Sequence, residues 1–108
     1  MVTRGGRPVW WLRRGAALRR LAVPQVAAID TTGAGDVFHA ALALAVGEGR
    51  GERDAVGFAA TAAALKCLGG PGVLGAPRRG ALERALLQRH VASRRPPRQR
   101  ATAAKMAA

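Results

Sequence analysis

Tyrosine is absent from this 108-residue chain and cysteine occurs once, at Cys67. A single thiol excludes an internal disulfide framework and a cysteine-cluster zinc site. Aromatic residues make up 4%, and although 49% of the chain is apolar, 25 residues are alanine. Each alanine buries little area, so a core of this composition is thin, and the length allows one small domain. No run approaches about 18 uncharged apolar residues, the signal for a membrane-spanning helix. Arg4, Arg7, Arg13 and Arg14 interrupt the N-terminus, which therefore does not read as a signal peptide. The default compartment is then the cytoplasm, with no membrane among the expected partners.

Acidic residues are also scarce: six against eighteen Lys and Arg, for a formal net charge of +12. Its distribution matters more than its size. Residues 1–20 carry six Arg and no acid; residues 91–108 carry four Arg, one Lys and no acid. The stretch between them holds seven bases and six acids and is nearly neutral. The excess thus belongs to the two ends and not to a domain surface. Neither end interleaves aromatics with bases as single-strand binders do, which argues against nucleic acid as a partner. A basic segment that binds nucleic acid or another polyanion without catalysis is kept as the alternative reading.

The pattern along the chain is strands first, then helices. Gly5-Gly6 is turn chemistry, and residues 8–12 (Pro-Val-Trp-Trp-Leu) read as a short strand. Arg13-Arg14-Gly15 suits a hairpin turn, with a return strand from Ala17 to Val23 that Pro24 ends. Val26 to Ile29 reads as a further apolar strand ending at Asp30. Asp36 to Val46 is apolar around most of a helix and is expected to be buried; an Ala-rich helix follows from Glu52 to Cys67. An irregular loop runs from Gly69 to about Pro77, and a third, amphipathic helix spans Gly80 to His90, with Leu82, Ala85, Leu86 and Arg89 marking its faces. From Ser93 onward the chain reads as a disordered basic tail. A parallel sheet needs crossovers that return to strands, and none is expected after residue 30.

The segment that carries chemistry is Asp30-Thr31-Thr32-Gly33-Ala34-Gly35-Asp36. A strand ends, a small-residue loop follows, and a helix begins near Ala34. The first turn of a helix presents unpaired N–H groups and the positive end of its dipole. Gly33 and Gly35 remove side chains that would hold a phosphate away from those groups. A carboxylate beside such a pocket repels an anion, but it makes sense as the base that takes a proton from a hydroxyl attacking phosphorus. The competing reading is that Asp36 caps the helix and the glycines form an ordinary loop. No Gly-Lys-Ser/Thr follows, so this is not a P-loop, and no G-x-G-x-x-G is present.

These residues, continued by Val37-Phe38-His39-Ala40-Ala41, resemble the C-terminal signature of the ribokinase-like, or PfkB, carbohydrate kinases. Val2-Thr3-Arg4-Gly5 followed by Val9-Trp10-Trp11 resembles the family's nucleotide-side strand and turn. Residues 58–66 resemble the Ala-rich helix beside its adenine pocket. The resemblance covers residues 2 to about 90. It implies an α/β fold, the C-terminal part of a three-layer ribokinase-like architecture, with residues 1–92 as its nucleotide-binding and catalytic portion. It further implies ATP-dependent phosphoryl transfer to a sugar hydroxyl, with Mg²⁺ arriving on ATP. Asp36 would be the catalytic base. Gly33, Ala34 and Gly35, with the Asp36 N–H, would form the anion hole, and Thr3 and Gly5 would lie at the nucleotide. Asp30 and the carbonyl of Thr32 match positions that hold a monovalent cation, usually potassium.

Pro8 departs from the family's second turn glycine and lacks an N–H to offer a nucleotide. Ala60 stands where a polar residue often lies beside adenine. Family members are about three times longer, and their N-terminal part carries the sugar contacts. The expectation is therefore a truncated product or a start called too late, without activity alone because the sugar is not held for in-line attack. His39 is expected to pack or to position a neighbour, and Cys67 to be a small buried residue. His90 is expected at the solvated surface. Trp10 and Trp11, adjacent in a strand, must point to opposite faces.

Overall fold

A computed structural model describes residues 1–94, in which three short strands precede three α-helices. The strands are β1 (Val2–Arg4), β2 (Arg7–Trp11) and β3 (Arg19–Leu21). They form an antiparallel sheet in that order, with β2 in the centre. Gly5 and Gly6 close the first hairpin between the paired residues Arg4 and Arg7, and Gly5 has φ +56°. Two-residue hairpin turns require such left-handed backbone. The register of this pair slips by one residue between Val2 and Arg4. Opposite the slip stands Pro8, which has no N–H to give the ladder, and a bulge is where a central strand tolerates proline.

The second hairpin pairs Val9 with Leu21 and Trp11 with Arg19. Its turn is closed by the Ala16 N–H donating to the Arg13 carbonyl at 3.0 Å. Alternation along β2 buries Val9 and Trp11 and leaves Trp10 partly exposed, so the two tryptophans do face opposite ways. The return strand is shorter than the expected Ala17–Val23. The strand expected over Val26–Ile29 is absent. No described strand lies beside that segment to share a ladder; instead the Ile29 and Asp30 N–H groups converge on the Cys67 carbonyl, at 2.7 and 3.3 Å.

The helices are α1 (Ala34–Gly47), α2 (Glu52–Leu68) and α3 (Arg79–Arg94), with one 3₁₀ turn at Gly72–Gly75. α1 lays Phe38, Ala41 and Ala45 against α2, whose Ala55, Val56, Phe58, Ala59, Ala60 and Ala62 are all buried. Alanines on both faces let the two axes approach closely, which is how an aromatic-poor chain still forms a dense centre. α1 is not buried all round as expected: Leu44 and Val46 stay exposed, because α2 covers one face only. α3 adds Leu82 to the core and ties Arg89 Nη1 to Thr61 Oγ1 at 2.8 Å.

The balanced charges of the middle segment are paired where the helices meet. Arg79 donates to both carboxylate oxygens of Glu48, at 2.8 and 2.9 Å, and to Glu83 at 2.7 Å. These bonds hold the Glu48 carboxyl below its usual range. α3 passes through Ser93, so the boundary expected at Ala92 falls inside a helix. No proline interrupts the sequence between Arg79 and Arg94. The basic tail is otherwise outside the described residues.

Candidate active site

The loop between Asp30 and α1 is shaped by its own backbone. Gly33 is the N-cap of α1 with φ +80° and ψ 4°, and no side chain caps the helix. A Cβ on Gly33 would meet nothing within 4 Å, so glycine is required there for its backbone conformation and not for space. Asp36 is the third residue of α1. It is exposed, and its carboxylate has no hydrogen-bond or ion-pair partner among the described residues. The capping alternative therefore fails: a cap would show the carboxylate accepting a first-turn N–H.

The N–H groups around it are not all free. Ala34 N–H donates to the Thr31 carbonyl at 3.1 Å, closing a turn. The expected anion hole is thus narrowed: Ala34 adds a methyl wall, while Gly33, Gly35 and Asp36 retain N–H groups of the kind a helix start leaves unpaired. His39 sits one turn on, donating from Nδ1 to the Gly35 carbonyl at 2.7 Å and stacking edge-on to Phe38 at 5.7 Å. The His39 ring is exposed and its bond runs to the backbone one turn before it.

A cavity of about 230 Å³ opens beside this loop. Thr3, Gly5 and Gly6 of the first hairpin line one side; Thr31, Ala34 and Gly35 line another. Ala60, Ala63, Ala64 and Cys67 of α2 form the floor, and residues 23–26 with Ala28 complete the wall. The structure so brings together Thr3, Gly5, Ala34 and Gly35, four expected site residues from distant parts of the chain. Asp36, Gly33, Asp30 and Thr32 lie outside the lining. Sites that enclose a drug-sized ligand span about 300–1,000 Å³, so this volume suits part of such a ligand.

Asp30 lies behind the loop. Its Oδ1 accepts the Thr32 N–H and its Oδ2 accepts the Gly72 N–H, each at 2.9 Å. These two backbone donors, Gly72 first, hold the carboxyl far below the usual carboxylate range, with Lys66 adding to the effect and burial opposing it. The Lys66 side chain has no exposure; its Nζ donates to the Asp30 carbonyl at 2.9 Å and lies 3.8 Å from Asp30 Oδ2. These donors do not fit a monovalent cation at Asp30 and Thr32. An ammonium already stands against the carboxylate, and both carboxylate oxygens accept N–H groups. Among the described residues no group of three or more His, Cys, Asp and Glu could hold a metal ion.

Lys66 is the residue that reading the sequence missed. Its signal was a lone charge between Leu65 and Cys67, inside an alanine-rich helix otherwise free of charge from Ala55 onward. Buried charges persist only when paired and hydrogen-bonded, so a lysine in such a run points to an anion elsewhere in the chain.

Comparison with known proteins finds relatives over most of the chain. A family model described as pfkB family carbohydrate kinase matches residues 1–73. The ribokinase of Arabidopsis thaliana is 49% identical over 43 residues, covering 40% of this chain and 11% of that protein. A crystal structure of a ribokinase-type protein from Agrobacterium tumefaciens superposes with a TM-score of 0.76 at 41% identity, over 80% of this chain and 28% of that one. Ribokinase from Thermotoga maritima gives 0.71 at 33% identity, over 76% of this chain and 27% of that one. The Arabidopsis thaliana enzyme, solved with ribose and ATP, gives 0.72 at 31% identity with the same coverage. The α/β arrangement is thus that of the ribokinase fold, and the chain spans under a third of the length of these solved relatives.

Proposed function

Because the chain belongs to the pfkB family of carbohydrate kinases, we propose that it supplies the nucleotide and phosphoryl-transfer side of an ATP-dependent sugar kinase. Asp36 is the general base. It takes the proton of a sugar hydroxyl as that oxygen attacks the γ-phosphorus of ATP, and ADP leaves with the electrons of the broken P–O bond. Mg²⁺ enters with ATP as part of the substrate and neutralises its phosphates. The N–H groups of Gly33, Gly35 and Asp36 receive the charge that gathers on the transferring group. Thr3 and Gly5 face the base or ribose across the cavity floored by Ala60, Ala63 and Ala64.

One observation carries this reading. A carboxylate without a partner among the described residues stands at the N-terminus of α1, on the third helical residue, three positions after a glycine held in left-handed backbone. Neither a cap nor an ion pair with an arginine occupies it, so beyond the helix dipole the carboxylate is free to accept a proton. The 108 residues alone bind nucleotide without turning over sugar, because phosphoryl transfer needs an acceptor held in line.

Amide proton–nitrogen NMR of the full chain, with and without Mg-ATP, tests the proposal. Shifts should concentrate at Gly33–Asp36 and Thr3–Gly6 and survive raised salt. Shifts confined to residues 91–108 that vanish with salt would mean polyanion binding instead. A spectrum that ignores Mg-ATP would refute nucleotide binding by this loop.

A further inference from the structure

The buried charge behind the loop has a consequence for the ions this chain requires. Lys66, in the last turn of α2, is the only charged side chain among the described residues with no exposure. Its ammonium gathers the oxygens of one residue, the Asp30 carbonyl at 2.9 Å and Oδ2 at 3.8 Å. Through Asp30 it reaches further. The two carboxylate oxygens take N–H groups from Thr32 at the entry to the loop and from Gly72 at the 3₁₀ turn. The Cys67 carbonyl, one residue on, receives the Ile29 and Asp30 N–H groups. Three segments distant in sequence are thereby fixed around a single positive charge, directly beneath Thr31–Asp36.

A bound monovalent cation would do the same work: one charge, a carboxylate and a carbonyl as neighbours, and a loop held in one conformation. We propose that the Lys66 ammonium is a built-in replacement for such a cation, so that the Thr31–Asp36 loop is ordered without potassium or sodium. The functional meaning of this substitution rests on the reading of that loop as the phosphoryl site; the placement of the charge does not. A lysine brings the charge covalently, at fixed occupancy, and offers three N–H donors where a metal ion would need oxygen ligands.

The test uses the full chain in potassium chloride, sodium chloride and tetramethylammonium chloride at equal ionic strength, without nucleotide. The expected result is the same Tm in all three salts, and Asp30, Thr32 and Gly72 amide resonances that do not move when potassium replaces tetramethylammonium. A potassium-specific rise in Tm, or saturable movement of those amides, would overturn the proposal. Lys66→Ala opens room for an ion and should acquire the potassium response that the parent lacks. A folded Lys66→Ala chain without that response also overturns it. Should that variant not fold, the Lys66 ¹⁵Nζ resonance of the parent decides: a signal sheltered from water and unmoved by potassium supports the replacement, and its absence or displacement by potassium refutes it. Because nucleotide is left out, failure here leaves the Mg-ATP experiment on Gly33–Asp36 standing, and the reverse holds.

Discussion

Gly33 and Gly35 flank one residue, yet substitution by alanine should move stability in opposite directions. Gly33 caps α1 with φ +80°, and a new Cβ would touch nothing within 4 Å. Alanine there meets no steric neighbour and incurs only the left-handed backbone penalty, about 1–2 kcal/mol. Alanine also restricts the unfolded chain, which returns about 0.4–1 kcal/mol. The net loss is about 1 kcal/mol, or a Tm about 4–8 °C lower for a domain of this size. Gly33→Asn should recover part of it, since asparagine tolerates this region. Gly35 is the second residue of α1, with ordinary helical φ and open space for a Cβ. Gly35→Ala should therefore stabilise by about 0.5–1 kcal/mol, the usual gain of alanine over glycine in a helix. The same methyl stands where a phosphate must approach, so the more stable variant should lose the Mg-ATP shifts at residues 33–36. Thermal denaturation followed by circular dichroism gives the first pair of numbers, and NMR titration the second. A Gly33→Ala chain as stable as the parent would refute the left-handed cap, and a Gly35→Ala chain that still binds Mg-ATP would refute the phosphate site.

Asp36→Asn should change Tm little, since the carboxylate caps nothing and loses only a helix-dipole term of about 0.3–1 kcal/mol; in a complete kinase carrying this loop, the same change should lower kcat by about 10²–10⁴, measured by coupled ADP release. Asp30 has a folded-state pKa below its ordinary 3.8, so its contribution is present above that value and is lost as pH falls below it. Stability should thus be level above about pH 5 and decline in acid, and Asp30→Asn should flatten that acid limb in denaturation curves recorded from neutral to acidic pH. Leu82→Ala should cost about 2–5 kcal/mol in urea unfolding, because it empties a buried position that joins α3 to the core.

The parts of the fold that were legible in the sequence are those decided by neighbours in the chain. The turns at Gly5-Gly6 and Arg13–Ala16, the opposite faces of Trp10 and Trp11, and α1 and α2 to within a residue or two all follow from local chemistry. The strand expected at Val26–Ile29 failed for a non-local reason: an apolar run becomes a strand only beside another strand, and among the described residues it has none. The Gly33–Asp36 loop was readable because glycine spacing and an acid at a helix start are local signals. The pairing of its Ala34 N–H with Thr31 was not, since turn closure within the loop competes with the helix start for the same donor. From the sequence Asp30 reads as an oxygen ligand and Lys66 as one position of an alanine-rich helix, although each explains the other. Their separation of 36 residues hides the pair from any argument based on spacing.

That pair also explains why the loop can be both glycine-rich and ordered. Two glycines in four residues lower the energetic barrier to many backbone conformations, and a helix start with free N–H groups gains nothing by holding still without a ligand. Asp30 removes that freedom at one end, through Thr32, and α1 removes it at the other, through the Val37 N–H donating to Gly33 at 3.0 Å. The anchor behind Asp30 is itself crowded: a Cβ on Gly75 would come 2.7 Å from the Lys66 carbonyl, so the 3₁₀ turn and the end of α2 are packed backbone against backbone. The flexible residues are thus confined to the side that faces a ligand, while the rigid contacts lie behind them. Loosening the back of the site should cost as much in nucleotide binding as altering its front, and Gly75→Ala, outside the cavity lining, is the substitution that separates the two. If it leaves the Mg-ATP shifts intact while lowering Tm, the loop is ordered by α1 alone and the Asp30–Lys66 pair serves only stability.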